Sequence, residues 1–252
     1  MPPPAAITWI GHASVLIDLD GTRVLTDPVL RDRVGALQRV APPAAPGAAD
    51  DIDVVLLSHL HADHADVPTL RRLGQRRPRV ITPSGAVAWL RERGIENISA
   101  VRVGEELSVG SVRVTATPAV HDGRRRPLGA EAVPVGYVVR GSRSAYFAGD
   151  TDLFEAMSHL AGTIDVALLP VWGWGRTLGS GHLDPERAAE AAARIAPRIA
   201  IPIHWGTLAP AWPYPRPKDP TAPARAFAAS AARLAPGVEV RVLQPGERME
   251  LP

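Results

Sequence analysis

Short apolar runs separated by polar turns dominate the first part of the chain. Residues 7–10 and 14–18 have the composition of short strands, and residues 22–26 follow as a third. Asp20-Gly21 lies between the last two and is a hairpin signal, because Gly accepts the positive φ that a tight turn needs. The pattern predicts a β-meander. Residues 31–50, with several Pro, Gly and Ala, are predicted to form a loop.

The rest of the chain alternates apolar runs with helical segments. Residues 53–57, DVVLL, are typical of a strand buried on both faces of a sheet. Asp184-Pro185-Glu186 predicts a helix start, because it offers a cap, a Pro in the first turn and an acid near the positive dipole end. Ser84 is predicted to cap another helix. Strands are expected over residues 80–82, 136–139, 144–148, 166–169, 199–203 and 238–243, a hairpin over 108–117, and helices over 84–93, 152–160 and 222–234.

The order of these elements predicts the architecture. A β-rich start is followed by alternating strands and helices, then by a second β-rich run and a second alternation. Two sheets packed face to face with helices outside satisfy this order. We therefore expect an α/β (α+β) fold, a four-layer αββα sandwich formed as a single domain by residues 1–252.

Composition and charge narrow the range of functions. Hydrophobic residues make up 46% and charged residues 21%, and no apolar run approaches the roughly 20 residues of a membrane helix. The start shows no secretory signal, so we expect a cytoplasmic protein without membrane insertion. The formal charge is +2 and Lys218 is the only lysine, which together with abundant Ala and Pro indicates nucleotide-composition bias. We therefore expect no nucleic-acid binding.

Residues 58–66, SHLHADHAD, concentrate metal-binding side chains directly after a predicted buried strand. His59 and His61 are two residues apart, so on extended backbone they point the same way and can share one metal. Asp63 and His64 follow where the chain turns toward a helix, and face another direction. Two metals, each completed from elsewhere, fit this loop better than one. Since the chain has no cysteine, the ligands must be His, Asp or Glu.

Three further candidates occupy similar positions. His121, Asp150 and His204 each follow the end of an apolar run, where a stiff sheet can direct side chains into a shared cleft.

These motifs together resemble the metallo-β-lactamase-fold hydrolases. His-x-His-x-Asp-His comes first, and His121, Asp150 and His204 follow in the family's order. The stretches WIGHAS from residue 9, LTDP from 25 and HWGT from 204 are similar to the branch containing N-acyl-phosphatidylethanolamine phospholipase D and ascorbate-6-phosphate lactonase. The cysteine that common true β-lactamases place in the second site is missing here, which disfavours antibiotic hydrolysis.

The resemblance implies a ligand set for two divalent ions and a hydroxide nucleophile. Zinc is expected because it is common in this fold, although manganese and iron suit the same ligands. Asp63 is expected to serve catalysis as well as metal binding. The implied first site comprises His59, His61 and His121, the second comprises Asp63, His64 and His204, and Asp150 bridges them.

Other residues are candidates for supporting roles, each with a simpler alternative. Asp27 and Asp66 are carboxylates that could accept the second N–H of a ligating histidine, or be a turn residue and a helix-terminus charge. His182 is a candidate proton donor or substrate contact, or a helix-entry residue. The remaining candidates for the cleft lining are His12, Trp172, Trp174 and Arg176, with structural packing or solvated charge as alternatives.

Three functions are compatible with these residues. The first is a hydrolase of a phosphodiester, lactone or other ester in a small, soluble and anionic substrate. The second is a di-iron redox protein, for which this chain has no flavin-binding module. The third is a non-catalytic metal-binding protein, which is disfavoured because all seven ligand positions are filled. The Pro-rich residues 211–217 are candidates for a cleft rim or a subunit contact in a homo-oligomer.

Overall fold

Two seven-stranded sheets form the centre of the molecule. The computed structural model describes residues 4–43, 45–73, 77–125, 129–173, 178–212 and 218–252. Numbered along the chain, the first sheet contains β1 (Ala6–Gly11), β2 (Ser14–Leu19), β3 (Thr22–Thr26), β6 (Val54–Leu56), β7 (Arg79–Pro83), β8 (Ile98–Val101) and β17 (Arg248–Glu250). Their spatial order is β17-β1-β2-β3-β6-β7-β8.

The second sheet is built largely from the later half of the chain. It contains β9 (Glu106–Val109), β10 (Val112–Pro118), β11 (Val135–Arg140), β12 (Ser144–Phe147), β13 (Val166–Pro170), β14 (Ile199–Ile203) and β16 (Glu239–Val240). The spatial order is β16-β14-β13-β12-β11-β10-β9. A small third sheet joins β4 (Arg33–Val34), β5 (Leu37–Arg39) and β15 (Leu208–Pro210).

Four α-helices accompany the sheets. They are α1 (Val67–Leu73), α2 (Val87–Arg91), α3 (Pro185–Ile195) and α4 (Ala222–Leu234), with 3₁₀ turns at Ser84–Ala86 and Glu155–Leu160. The start of α3 follows the sequence prediction: the Asp184 side chain accepts a hydrogen bond from the Arg187 amide at 2.9 Å. Within the described ranges, none of the helices is long and apolar enough to cross a bilayer.

Strand β6 shows how the layers are separated. Val54 and Leu56 are buried in the core between the two sheets, which continues to α3 and α4. Val55 and Leu57 point the other way, into a second core that contains residues of α1 and α2. A strand covered on both faces has little need for polar side chains. The αββα sandwich is confirmed, and the apolar run at 53–57 has the predicted cause.

The structure corrects several predicted elements. Part of the predicted loop at 31–50 pairs as β4 and β5, because β15 joins β5 from far along the chain. The predicted helix at 152–160 is only a 3₁₀ turn, and the last predicted strand is reduced to β16. Ser84 begins a 3₁₀ turn and makes no capping hydrogen bond with its side chain. Strands β8 and β17 were not predicted; β17 has no local pattern and depends on pairing with β1.

Strand directions determine where the polar residues meet. Strands β3 and β6 are parallel, and β1 runs the same way because it is antiparallel to β2, which is antiparallel to β3. In the second sheet β12, β13 and β14 are parallel, and β10 shares their direction through β11. The carboxyl ends of these seven strands carry the loops that contain the candidate ligands.

Helix α4 provides a test of the outer layer. Phe227 is its one large fully buried side chain among the described residues, accompanied only by buried Ala224 and Ala231. Phe227→Ala should lower the free energy of unfolding by about 3–5 kcal/mol, because the small neighbours cannot fill the cavity. Denaturant unfolding measures this. Phe227→Leu, which keeps most of the apolar volume, should lose clearly less; equal losses would contradict this role for Phe227.

Candidate metal centre

The loop after β6 presents its side chains in two directions. The amides of His64 and Ala65 both donate to the His61 carbonyl, at 3.1 and 2.9 Å, and so form a tight turn. His59 lies before the turn, and Asp63 and His64 lie within it. His59 and His64 are fully buried, whereas His61 is partly exposed. The predicted change of direction between the two halves of the motif is therefore a backbone turn.

The first cluster consists of His59, His61 and His121. One ring nitrogen from each lies within 4.8 Å of the others. His61 Nδ1 and His121 Nε2 are 3.1 Å apart. His121 follows β10, so this cluster joins the two sheets at one edge of the sandwich.

The second cluster consists of His12, Asp63, His64 and His204, again within 4.8 Å of one another. His64 Nε2 lies 3.2 Å from His204 Nε2, and His12 Nε2 lies 3.2 Å from Asp63 Oδ2. The rings of His12 and His204 pack with their centroids 3.8 Å apart. His12 is thus part of this cluster and not merely near the cleft.

Asp150 lies between the clusters. Its Oδ1 is 3.2 Å from His204 Nε2, and its Oδ2 is 3.2 Å from His64 Nε2 and 4.0 Å from His121 Nε2. Burial opposes ionisation of this carboxyl, but His204 and His64 outweigh it and hold the pKa of Asp150 well below its usual value. One charged carboxylate is thus within reach of imidazoles from both clusters.

The first cluster leaves two lone pairs facing each other. His121 Nδ1 donates to the Gly181 carbonyl at 2.8 Å, and His61 Nε2 donates to the Arg124 carbonyl at 3.1 Å. Carbonyl oxygens only accept, so these nitrogens carry the hydrogens of the neutral rings. Burial lowers the pKa of both histidines, which favours those neutral rings. The facing nitrogens, 3.1 Å apart, are therefore placed so that both could bind one cation.

The second cluster has the same design with one difference. His64 Nδ1 donates to Asp27 at 2.7 Å, and His204 Nδ1 donates to the Trp172 carbonyl at 2.5 Å. Burial lowers the pKa of His204 to about 3. Burial also opposes charge on His64, but Asp150 and Asp27 raise its pKa well above the usual value. Asp150 and Asp27 thus offset the cost of burying charge at His64, which is the difference from the first cluster.

Two buried polar atoms without hydrogen-bond partners also bear on whether these residues can hold a metal ion. His59 donates from Nδ1 to Ser58 Oγ at 2.9 Å, and Ser58 Oγ donates to Asp27 at 2.5 Å. His59 Nε2 is then a buried lone pair without a hydrogen-bond partner, as is Asp150 Oδ1. Buried polar atoms rarely stay unpaired. Imidazole nitrogens and carboxylate oxygens in this arrangement fit divalent transition metals.

Three residues at or beside the clusters have strained backbone. His12, Asp27 and His204 have φ values of 54°, 31° and 66°, which non-glycine residues rarely adopt. Such conformations cost roughly 1–3 kcal/mol each and persist where the surroundings enforce them. Here the His204 amide donates to the His12 carbonyl at 2.9 Å, and the Ser58 amide donates to the Asp27 side chain at 2.7 Å. His12 and His204 thus hold each other, and Asp27 is held by Ser58.

The two predicted supporting aspartates have different roles. Asp27 accepts from His64 and, through Ser58, supports His59. Asp66 is hydrogen bonded to neither His64 nor His59. Its carboxylate accepts hydrogen bonds from Arg31 at 2.7 and 2.9 Å and from Thr69 at the start of α1. The expectation that Asp66 braces a ligating histidine is not met, because the loop turns its carboxylate toward the helix terminus.

The remaining candidates lie around the cleft. His182 Nε2 is 3.5 Å from Asp150 Oδ2, and its side chain is 24% exposed. Trp172 packs against the central core, and its carbonyl supports His204. Trp174 and Arg176 lie outside the described residues. Sequence reasoning missed Ser58, although its position directly before His59 was a visible signal.

The comparisons with known proteins agree with this geometry. The β-lactamase superfamily domain matches residues 22–205. A UPF0173 metal-dependent hydrolase from Methanopyrus kandleri is 34% identical over 97% of this chain and 99% of its own length. An N-acyl-phosphatidylethanolamine-hydrolyzing phospholipase D from Caenorhabditis elegans is 30% identical over 79% of this chain and 63% of that protein. The expected kinship with the phospholipase is confirmed; that with the lactonase stays a prediction.

Solved structures show the same fold. A metallo hydrolase from Ignicoccus hospitalis, Igni18, has a TM-score of 0.72 at 22% identity, covering 98% of both chains. The diiron β-hydroxylase CmlA from Streptomyces venezuelae has a TM-score of 0.73 at 23% identity, covering all of this chain and 55% of that one. Together with the matched domain and the 34% identical relative, these findings lead to one conclusion. The chain belongs to the metallo-β-lactamase superfamily, with the UPF0173 metal-dependent hydrolases among its relatives.

Proposed function

We propose that this protein is a dinuclear metal-dependent hydrolase that cleaves a phosphodiester, lactone or other ester bond in a small soluble substrate. The observation that carries the proposal is the position of Asp150, within 3.2 Å of His204 and His64 and 4.0 Å of His121. One carboxylate that reaches both donor clusters supports two ions sharing one ligand.

The proposed ligand assignment uses the two clusters. His59, His61 and His121 would hold the first ion, Asp63, His64 and His204 the second, and Asp150 would bind both. Zinc is the proposed metal, because it accepts this combination of imidazole and carboxylate ligands. Two carboxylates against two divalent ions leave a positive site, and such a field favours an anionic substrate.

The chemistry would be divided between the ions and the side chains. When bound, two divalent ions supply a hydroxide nucleophile at neutral pH and polarise the bond under attack. Asp63, held through Oδ2 by His12, would present its other oxygen to the second ion and orient the attacking water. His182 has its Nδ1 hydrogen bonded to the Gly179 carbonyl at 3.2 Å and its Nε2 toward Asp150. From this position His182 would donate a proton to the leaving group.

Replacement of Asp150 tests the shared-ligand assignment. The parent protein should retain about two ions per chain in elemental analysis and hydrolyse at least one member of a panel of phosphodiesters, phosphomonoesters, lactones and thioesters. Asp150→Ala should lose both ions and turnover. Asp152→Asn is the control, since Asp152 pairs with Arg187 outside the clusters. A metal-loaded, fully active Asp150→Ala protein would refute the assignment, and bound iron with oxygen reduction would favour redox chemistry instead.

His182→Gln tests the proton donor. Metal content should stay at the parental value, while turnover should fall about 10²-fold to 10⁴-fold. The loss should shrink for substrates whose leaving group needs no proton, such as nitrophenolates. Comparing two esters with different leaving-group pKa values measures this. A uniform loss across leaving groups, or unchanged turnover, would rule out proton donation.

His12→Phe tests the support of Asp63. The substitution keeps an aromatic ring against His204 but removes the hydrogen bond to Asp63. The affinity of the second ion should fall about 10-fold to 100-fold, as is usual when a partner of a metal ligand is lost. The first ion is the internal control in the same chelator-competition titration. If the variant binds each of the two ions with the same affinity as the parent, His12 does not support Asp63.

A further inference from the structure

We propose that Arg125 is a positioning residue that fixes the shape of residues 58–66, the metal-binding loop. It thereby keeps His61 directed into the first cluster, and Asp63 and His64 directed into the second. This inference rests on the proposed dinuclear site. It concerns a residue in the Arg124-Arg125-Arg126 run, which by sequence alone has the composition of a solvated charge patch. The structure gives Arg125 a different environment.

The guanidinium of Arg125 connects the two ends of the ligand-bearing turn. Its Nη1 donates to the Leu60 carbonyl at 2.5 Å and to the Ala65 carbonyl at 3.3 Å. These two carbonyls flank residues 61–64, which carry His61, Asp63 and His64. One donor group holding both ends fixes the distance across the turn, and the directions of the three ligands depend on that distance.

Arg125 is itself held in place. Its guanidinium carbon lies 4.5 Å from the centre of the Trp89 ring, in a cation–π contact, and Trp89 is only 7% exposed within the second core. Its amide donates to the Ala130 carbonyl at 2.9 Å, and its carbonyl accepts from the Gly129 amide at 2.7 Å. A residue fixed at both backbone and side chain can position the loop it contacts.

The backbone beside Arg125 supports the same loop. The Arg124 carbonyl accepts from His61 Nε2 at 3.1 Å, which sets the tautomer of that histidine. Gly123 packs so closely on Ala132 that a Cβ there would lie 1.9 Å from the Ala132 carbonyl oxygen. Only glycine permits this approach. The segment that follows His121 therefore contacts the motif twice, once at a ligand ring and once at the backbone.

The charge of Arg125 makes this placement costly. No carboxylate lies within ion-pair distance of it in the described part of the chain, and burial together with nearby Arg93 lowers the pKa of its guanidinium. Desolvating an unpaired cation is unfavourable unless its donors are satisfied. The two loop carbonyls accept hydrogen bonds from its Nη1 and so offset part of this cost, which couples the loop to the arginine.

Arg93 provides a matched comparison. Its guanidinium carbon lies 4.1 Å from the same Trp89 ring, but its hydrogen bonds go to the Trp89 carbonyl and to Glu92. It has the same chemistry on the same ring without contact to the metal-binding loop. A role limited to packing on Trp89 predicts equal effects for the two arginines, whereas a positioning role predicts an effect for Arg125 alone.

The experiment compares Arg125→Met, Arg125→Lys and Arg93→Met with the parent chain of 252 residues. Zinc affinity is measured by chelator competition. The geometry of the metal sites is compared through the visible absorption bands of the Co²⁺-substituted proteins, and the stability of the metal-free proteins is measured by thermal unfolding. Arg125→Met should lose about 10-fold to 100-fold in zinc affinity at both sites, with an altered Co²⁺ band at saturation. Arg93→Met should keep the parental affinity and band. Arg125→Lys should recover part of the affinity, since an ammonium can reach one carbonyl.

Each outcome decides the inference. If Arg125→Met keeps the parental zinc affinity and Co²⁺ spectrum, or if Arg93→Met loses as much affinity as Arg125→Met, the role of Arg125 is overturned. The proposed function stays intact in either case, provided that the parent binds two ions. A parent that binds fewer than two ions would defeat the dinuclear assignment, and the affinity of the remaining ion would still test Arg125. If Arg125→Met unfolds without metal, Arg125→Lys, which keeps the charge, provides the test by the same two readouts.

Discussion

The convergence of lone pairs at one edge of the sandwich is the constraint on which the rest of the structure depends. Five histidines donate one ring N–H outward, to a carbonyl, a hydroxyl or a carboxylate, and so present the other nitrogen inward. Inward-facing lone pairs arranged in this way repel one another, and the rings lose hydration at the same time. The outer partners fix the direction of each ring, which is what preorganisation of a metal site requires.

The sheets provide the rigidity for this arrangement. Seven strands run so that their carboxyl ends meet at one edge of the sandwich. The hydrogen bonds between strands fix the backbone from which each loop with candidate residues begins. Cores on both faces of β6 fix the point from which the motif loop leaves. The strained φ values of His12, Asp27 and His204 show where stability is given up for the direction of a side chain.

Charge is distributed in two zones around the centre. Asp63 and Asp150 lie among the donors, while Asp27 lies behind His64 and Ser58 and acts through them. Asp66 is paired with Arg31 and contributes to the helix terminus instead. Arg125 adds a cation behind the loop, balanced by carbonyl oxygens. The site thus keeps few negative charges of its own, which agrees with the proposal that its substrate is anionic.

The sequence by itself determined the sandwich through the order of its elements, and it marked His59, His61, Asp63 and His64 through their local spacing, whereas the full set of seven candidate ligands depended on the family resemblance. Only the tertiary structure decided which carboxylate supports a histidine, since Asp27 and Asp66 differ in the direction the folded loop gives them. It also decided the pairing of β5 with β15 and the contact of Arg125 with the motif loop, which join residues far apart in the chain. Local patterns fix what a segment can form, but such long-range contacts depend on how the whole chain packs.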